Sequence, residues 1–324
     1  MANTFVVICT RNRPEPLASI LEDLGKQTRR IRLVLVVDSS DSPLSSEYFR
    51  RFQSRQIDEI IYLHSRAGLP YQRNVALNYL NQFWSAADTV HFLDDDVRID
   101  PNFISVAKSL VCAYPEASVI GAWDRGLILS KPNLLRRIAL LGDCRNQGKL
   151  LSSGCAFPPI RPSEVQVVDW CPGFSLNFSV KHLLGFWFGG RYRMYGEDLE
   201  ACLRLRDLGP ILVSPELSLN HHQNEVGRDQ SRAITYFSDV FRWRLSRLAP
   251  KHVAGISVIW STFALLAGEL LLAIKRNSRS GVQNALGHAQ FFFDLVTNRL
   301  KEQEVEHDYL DLRPKFVFSV PMSR

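Results

Sequence analysis

The chain has 324 residues, 46% of them hydrophobic and 22% charged, with 18 glycines and 16 prolines. That composition excludes a disordered, collagen-like or low-complexity chain and suffices for one large domain or two ordinary ones. A formal charge of +6 is small for a nucleic-acid binder of this size, so no nucleic-acid partner is expected. The six cysteines include no C-x-x-C pair, and Met1-Ala2-Asn3-Thr4 lacks the basic and apolar regions of a secretory signal, so a reducing, cytoplasmic setting is the expectation.

From the N-terminus, short β-branched runs predict strands over 4–9, 32–37, 59–63, 90–93 and 118–122. Longer segments of mixed polarity predict helices over 16–27, 71–84 and 102–114. This alternation is that of parallel strands joined by crossover helices, in a sheet covered on both faces. Ligands of such sheets bind beyond the carboxyl ends of the strands. The residues there are polar: Thr10-Arg11-Asn12-Arg13, Asp38-Ser39-Ser40 and Asp94-Asp95-Asp96. Neither a G-x-G-x-x-G turn nor a G-x-x-x-x-G-K-[ST] loop follows a strand, which counts against a dinucleotide or P-loop fold. The segment 130–162 reads as an insertion carrying loops.

Further on, Arg228, Arg232, Arg242, Arg244, Arg247 and Lys251 stand against only Asp229 and Asp239. The apolar run 254–274 follows, about 32 Å long as a helix at about 1.5 Å per residue, close to one bilayer thickness. A basic, aromatic-bearing stretch before an apolar one points to an anionic membrane surface. Glu269 lies inside the run and basic residues flank both ends, so a helix in the membrane plane competes with a span, and a buried soluble helix is a third reading.

Three aspartates in a row at a strand end need a compensating partner, and a hard divalent cation that also binds substrate phosphates supplies one. In a strand-to-turn geometry Asp94 and Asp96 point the same way and Asp95 points elsewhere. A solvated acidic turn before Pro101 is the plainer alternative on spacing alone. Lone histidines (His64, His91, His182) read as packing or surface residues, and Cys155 and Cys171 as free thiols rather than a disulfide.

Several strings occur together in order: Val7-Ile8-Cys9-Thr10-Arg11-Asn12-Arg13, Val36-Val37-Asp38, Gly68-Leu69-Pro70-Tyr71-Gln72-Arg73-Asn74 and Phe92-Leu93-Asp94-Asp95-Asp96-Val97. They are followed by Val168-Asp169-Trp170-Cys171-Pro172-Gly173, Gly189-Gly190-Arg191-Tyr192, Tyr195-Gly196-Glu197-Asp198-Leu199-Glu200 and Asn220-His221-His222. The set resembles the family-2 glycosyltransferases over about residues 3–228. The resemblance implies an α/β GT-A fold: a Rossmann-like mixed sheet flanked by helices that binds a nucleotide sugar through a D-x-D motif and a divalent metal, Mg²⁺ or Mn²⁺, and inverts the anomeric carbon. Carried over by position, Thr10, Arg11, Asp38, Arg73, Asn74, Asp94 and Asp95 would bind the donor, with a UDP-sugar as the default. Asp96, Asp94 and His221 would hold the metal, His221 fitting the spacing better than His222. Asp198, with Glu197 beside it, would be the general base, and Trp170 and Gly173 would meet the acceptor, a glycan or a lipid-linked sugar.

Glu197 and Asp198 equally suit the acidic first turn of a helix over 199–208. Asp239-Val240-Phe241-Arg242-Trp243 is similar to the Q-x-x-R-W motif of processive synthases with Asp239 in place of Gln, which favours single addition over polymerisation. The organisation expected is a catalytic domain over 1–228, membrane-associating helices over 229–300 and a tail over 301–324, placed at the inner face of the cell membrane in polysaccharide assembly. A nucleotidyltransferase using the same nucleotide site and a degenerate, transferase-like scaffold are the alternatives.

Overall fold

The structure, a computed structural model, describes residues 2–128, 131–189, 196–222, 231–301, 312, 314 and 316–321. Each apolar run of the first half forms a strand: β1 (Thr4–Thr10), β2 (Leu33–Asp38), β3 (Glu59–His64), β4 (Thr89–Asp94) and, after the two-residue β5 (Val97–Arg98), β6 (Val119–Asp124). Between them lie α1 (Pro14–Gly25), α2 (Ser46–Arg50), α3 (Leu69–Leu80) and α4 (Phe103–Ala113). Helix α3 starts two residues before its expected place, because Pro70 suits the first helical turn, and stops at Leu80.

β1, β2, β3 and β4 pair in parallel, and β1 lies between β2 and β4. Side chains alternate across β1. Val6 and Ile8 join a core with Leu17, Ile20 and Leu21 of α1 and Ile104 of α4, while Phe5 and Val7 join a second core with Val75, Leu77 and Leu80 of α3. The sheet is therefore covered on both faces, which is why β1, β2 and β3 read as nearly continuous apolar runs.

The second half completes the sheet in a way that the first half does not announce. After α5 (Leu134–Ile138) and β7 (Gln166–Val168), β8 (Ser175–Ser179) inserts antiparallel between β4 and β6. Next come α6 (Glu197–Leu205) and β9 (Ile211–His221), which pairs in parallel with β6 and whose end meets β5 in antiparallel register. At the other edge β10 (Phe316–Pro321), inside the segment read from the sequence as a tail, pairs antiparallel with β3.

Three helices lie between: α7 (Ser231–Leu248), α8 (Gly255–Arg276) and α9 (Arg279–Val296). Asp239 of α7 is buried and accepts from the Arg242 guanidinium at 2.5 Å, with His288 Nδ1 of α9 at 2.5 Å from its other oxygen. Arg242 also donates to Ser261 (2.7 Å) and Thr262 (2.9 Å) of α8 and to the Ser153 carbonyl (3.4 Å). One ion pair thus ties α7, α8, α9 and the insertion together. Arg242 is only 4% exposed, so it is withdrawn from the basic surface to which the sequence assigned it. The motif that resembles Q-x-x-R-W serves this buried clamp, and Asp239 in the Gln position provides its anion. All six cysteines are free thiols, and the near pair is Cys171 and Cys202, with sulfurs 4.0 Å apart, not Cys155 and Cys171.

Candidate active site

The carboxyl ends of β1 and β4 open into a cavity of 630 Å³ lined by Cys9, Thr10, Arg11, Asn12, Arg13, Ser39, Gly68, Leu69, Gln72, Asp94, Asp95, Asp96 and His221. That size suits a small-molecule ligand. The chain reaches it because β1 ends in polar residues and Asn12 turns the backbone into the left-handed region (φ 53°), which asparagine tolerates. Asn12 is fixed there by hydrogen bonds with Ser40 and Asp41. Gln72 of α3 donates to the carbonyls of Thr10 and Val37, joining the ends of β1 and β2 to the helix behind them.

Asp94 ends β4, Asp95 and Asp96 form the turn before β5, and the three divide as the strand-to-turn spacing predicts. Asp95 accepts from the Thr10 hydroxyl at 2.6 Å and from Arg13 at 3.1 Å. Burial outweighs those two partners and pushes the Asp95 carboxyl up to about 6. Asp94 and Asp96 instead face His221, and one ligand atom from each of the three lies within 4.8 Å of the others. His221 arrives by register: it pairs with Val97, one residue past Asp96, which brings its Nε2 to 3.1 Å from Asp96 Oδ1. Burial opposes the imidazolium, but the hydrogen bond and charge of Asp96, with Asp94 behind it, hold the His221 pKa above its ordinary value. His222 is exposed and gives its backbone N–H to the Asp96 carbonyl. Two carboxylates and one imidazole converging on one point form a donor set suited to Mg²⁺ or Mn²⁺. Arg13, donating to Asp96 at 3.1 Å as well as to Asp95, supplies compensating charge.

A second carboxylate pair stands across Arg73, whose side chain is 2% exposed. Its Nη2 lies 3.6 Å from Asp94 and 3.1 Å from the Gly173 carbonyl, and its Nη1 lies 3.2 Å from Glu197. Asp198, on the first turn of α6, accepts from the Gly173 N–H at 2.9 Å and the Leu199 N–H at 2.7 Å. Two backbone donors at the start of α6 hold that carboxylate in one orientation. Gly196 precedes the pair in the left-handed region (φ 94°), and a Cβ there would stand 2.3 Å from the Phe241 ring of α7, so the turn is seated on the C-terminal helices. The helix begins at Glu197, two residues before its expected start.

Glu197 is pushed up to about 7, first by burial and then by the neighbouring Asp198 charge, against the pull of Arg73. Between its ordinary 4.5 and about 7, the folded protein keeps a proton that the unfolded chain has released. Stability therefore falls as pH rises through that window. Urea titrations from pH 5 to 8 are expected to show a smaller decline for Glu197→Gln than for the parent chain; equal pH dependence would contradict the assignment.

Not every residue named from the sequence meets the cavity. Asp38 is fully buried, its oxygens taken by the Ser40 N–H and hydroxyl and the Tyr62 hydroxyl, and it lies behind the lining. Asn74 clasps the Phe188 backbone through both of its amide atoms, bracing the loop before α6. Trp170 donates its indole N–H to the Phe157 carbonyl and does not line the cavity. Arg11 lines it, paired with Asp41 at 3.5 Å. Gly190, Arg191, Tyr192 and Tyr195 lie outside the described residues, as do Arg228 and Asp229. Arg13 and Gln72 were quoted in the strings but given no role; their partners lie 82 and 62 residues away, beyond any local pattern.

Residues 5–151 match the family model of Glycosyl transferase family 2. The fold is similar to that of a mannosyltransferase from Pyrobaculum calidifontis solved in complex with GDP-Man and Mn²⁺. The identity is 15%, the coverage 93% of this chain and 88% of that one, and the TM-score 0.54. A structure of S. aureus TarS, residues 1–349, matches at 14% identity over 91% of this chain and 92% of that one, with a TM-score of 0.46. No curated protein sequence matches the chain. Residues 5–151 thus carry the match to glycosyl transferase family 2, on a GT-A fold that the chain shares with the mannosyltransferase.

Proposed function

We propose that this glycosyltransferase transfers a sugar, with inversion, from a nucleotide-diphosphate donor to a hydroxyl of a glycan or lipid-linked acceptor at the inner face of the cell membrane. The observation that carries the reading is the position of Arg73, which bridges Asp94 of the ligand trio to Glu197 of the carboxylate pair. Donor and base are thereby held in one frame. Asp94, Asp96 and His221 would hold a divalent cation, which supplies a Lewis acid to the departing diphosphate. Thr10 and Arg11 line the cavity in which the nucleotide would sit.

Asp198 takes the proton of the attacking hydroxyl on the face opposite the leaving group, as inversion requires. The Gly173 N–H aims it, and Arg73, against Gly173, fixes the distance between the two halves. The sugar nucleotide bound by the P. calidifontis mannosyltransferase supports a donor of this class, with UDP and GDP as the bases to try first. Free cysteines throughout fit a reducing cytoplasm, and the apolar α8 fits an acceptor at a membrane. The test is release of nucleoside diphosphate from a panel of UDP-, GDP-, dTDP- and CDP-sugars with Mn²⁺ or with EDTA. Release from one donor in Mn²⁺ alone supports the reading; none from any donor, with acceptor extracts supplied, contradicts it.

A further inference from the structure

Helix α8 is long and apolar enough to cross a bilayer, with a mean hydropathy of 1.8 over its most apolar window. Its two sides differ. Ile256, Trp260, Phe263, Leu270, Leu271 and Ile274 are exposed and fall within roughly 100° of the helix circumference at 3.6 residues per turn, with Leu272 the one exposed large apolar residue of the helix outside that arc. Val258, Ser261 and Thr262 are buried on the other side, where Ser261 and Thr262 accept from Arg242. Glu269 shares that inner side, and its carbonyl lies against Gly281 of α9. A spanning helix would have to leave α7 and α9, carrying the Ser261 and Thr262 hydroxyls and Glu269 into hydrocarbon and taking from Arg242 its two acceptors on α8, which is costly.

A second element shares the exposed stripe. The Trp260 indole N–H donates to the Ile138 carbonyl of α5 at 2.8 Å. Beside that bond Leu134, Leu135 and Ile138 are exposed, Leu135 by 76%, with Arg136 and Arg137 between them. Lys275 and Arg276 close the last turn of α8. Apolar side chains in one stripe, an indole among them and cations around them, match a bilayer interface with anionic headgroups.

We infer that α5 and the exposed stripe of α8 together dock on an anionic bilayer surface, with α8 lying in the interface plane and not crossing it. This deepens the membrane part of the reading above and gives the insertion 130–162 its purpose: it supplies the second apolar edge. Charge decides for lipid over a second copy of the chain, because a surface pairing two copies would set these cations against one another.

The test is flotation of the full chain with phosphatidylcholine vesicles, with and without phosphatidylglycerol. Binding is expected only with phosphatidylglycerol. It should fall by at least roughly tenfold in Leu135→Glu and in Phe263→Glu alike, since each removes one buried apolar side chain from the interface. Both positions are exposed, so melting temperature and nucleotide-induced stabilisation should not change, which separates failure of docking from failure of the donor site. Alkaline carbonate should extract the protein from membranes of expressing cells. Equal binding to neutral vesicles, loss of binding in Phe263→Glu but not Leu135→Glu, resistance to carbonate, or a dimer dispersed by these variants without vesicle binding would each overturn it.

Discussion

Replacing Asp198 with Asn is expected to lower the rate of sugar transfer by about 10²–10⁴-fold, the usual contribution of a positioned general base. The amide keeps the size of the side chain and its place on the first turn of α6. It cannot take a proton from the acceptor, and its single oxygen cannot accept from both Gly173 and Leu199 as the two carboxylate oxygens do. Nucleotide binding should persist, because Asp94, Asp96 and His221 are untouched. Steady-state kinetics with nucleotide binding measured in parallel will show the split. Full turnover in the Asn variant would remove Asp198 from the mechanism and favour a reaction that needs no base there, such as nucleotidyl transfer.

Asp96→Ala should be at least as damaging, for a different reason. Asp96 is the member of the trio that touches both Arg13 and His221, each at 3.1 Å. Without it, two ligands remain and the guanidinium of Arg13 faces them with one carboxylate fewer to balance it. A Lewis acid on a leaving phosphate is worth several kcal/mol, so turnover should drop by at least about 10³-fold. Added Mn²⁺ should no longer alter nucleotide affinity. Calorimetric titration of nucleotide with and without Mn²⁺ checks this, and a retained Mn²⁺ effect would place the metal elsewhere.

Much of this was legible in the chain. The strands β1 to β4 declare themselves because both sheet faces are covered, which leaves few polar positions, His91 of β4 among them, to blur the pattern. Asp94, which ends β4, and Asp96, in the turn after it, are separable from Asp95 by their strand-to-turn spacing, and the structure brings them to His221 while Asp95 turns to Thr10 and Arg13. Other features rest on pairing across long separations. β8 carries Asn177 amid its apolar residues because that side chain bonds the buried His91 ring and the Ile120 carbonyl, a reason invisible until β4, β8 and β6 are neighbours. Arg242 reads as a surface cation until Asp239, Ser261 and Thr262 close around it. Asp38 and Asn74 come by resemblance with donor-binding roles, yet here their polar atoms bond within the protein, Asp38 to Ser40 and Tyr62 and Asn74 to Phe188. Residue type survives a resemblance more readily than the direction in which a side chain points.

In this reading one divalent cation and one nucleoside diphosphate share the cavity at the ends of β1 and β4. Thermal melting of the unaltered protein with UDP, GDP, dTDP and CDP, each with Mn²⁺ or with EDTA, tests it most directly, since a ligand that binds only the folded state must raise its stability. A rise for one of these nucleotides that requires Mn²⁺ is the expected result. A rise of equal size in EDTA, or no rise with any of the four, would contradict it.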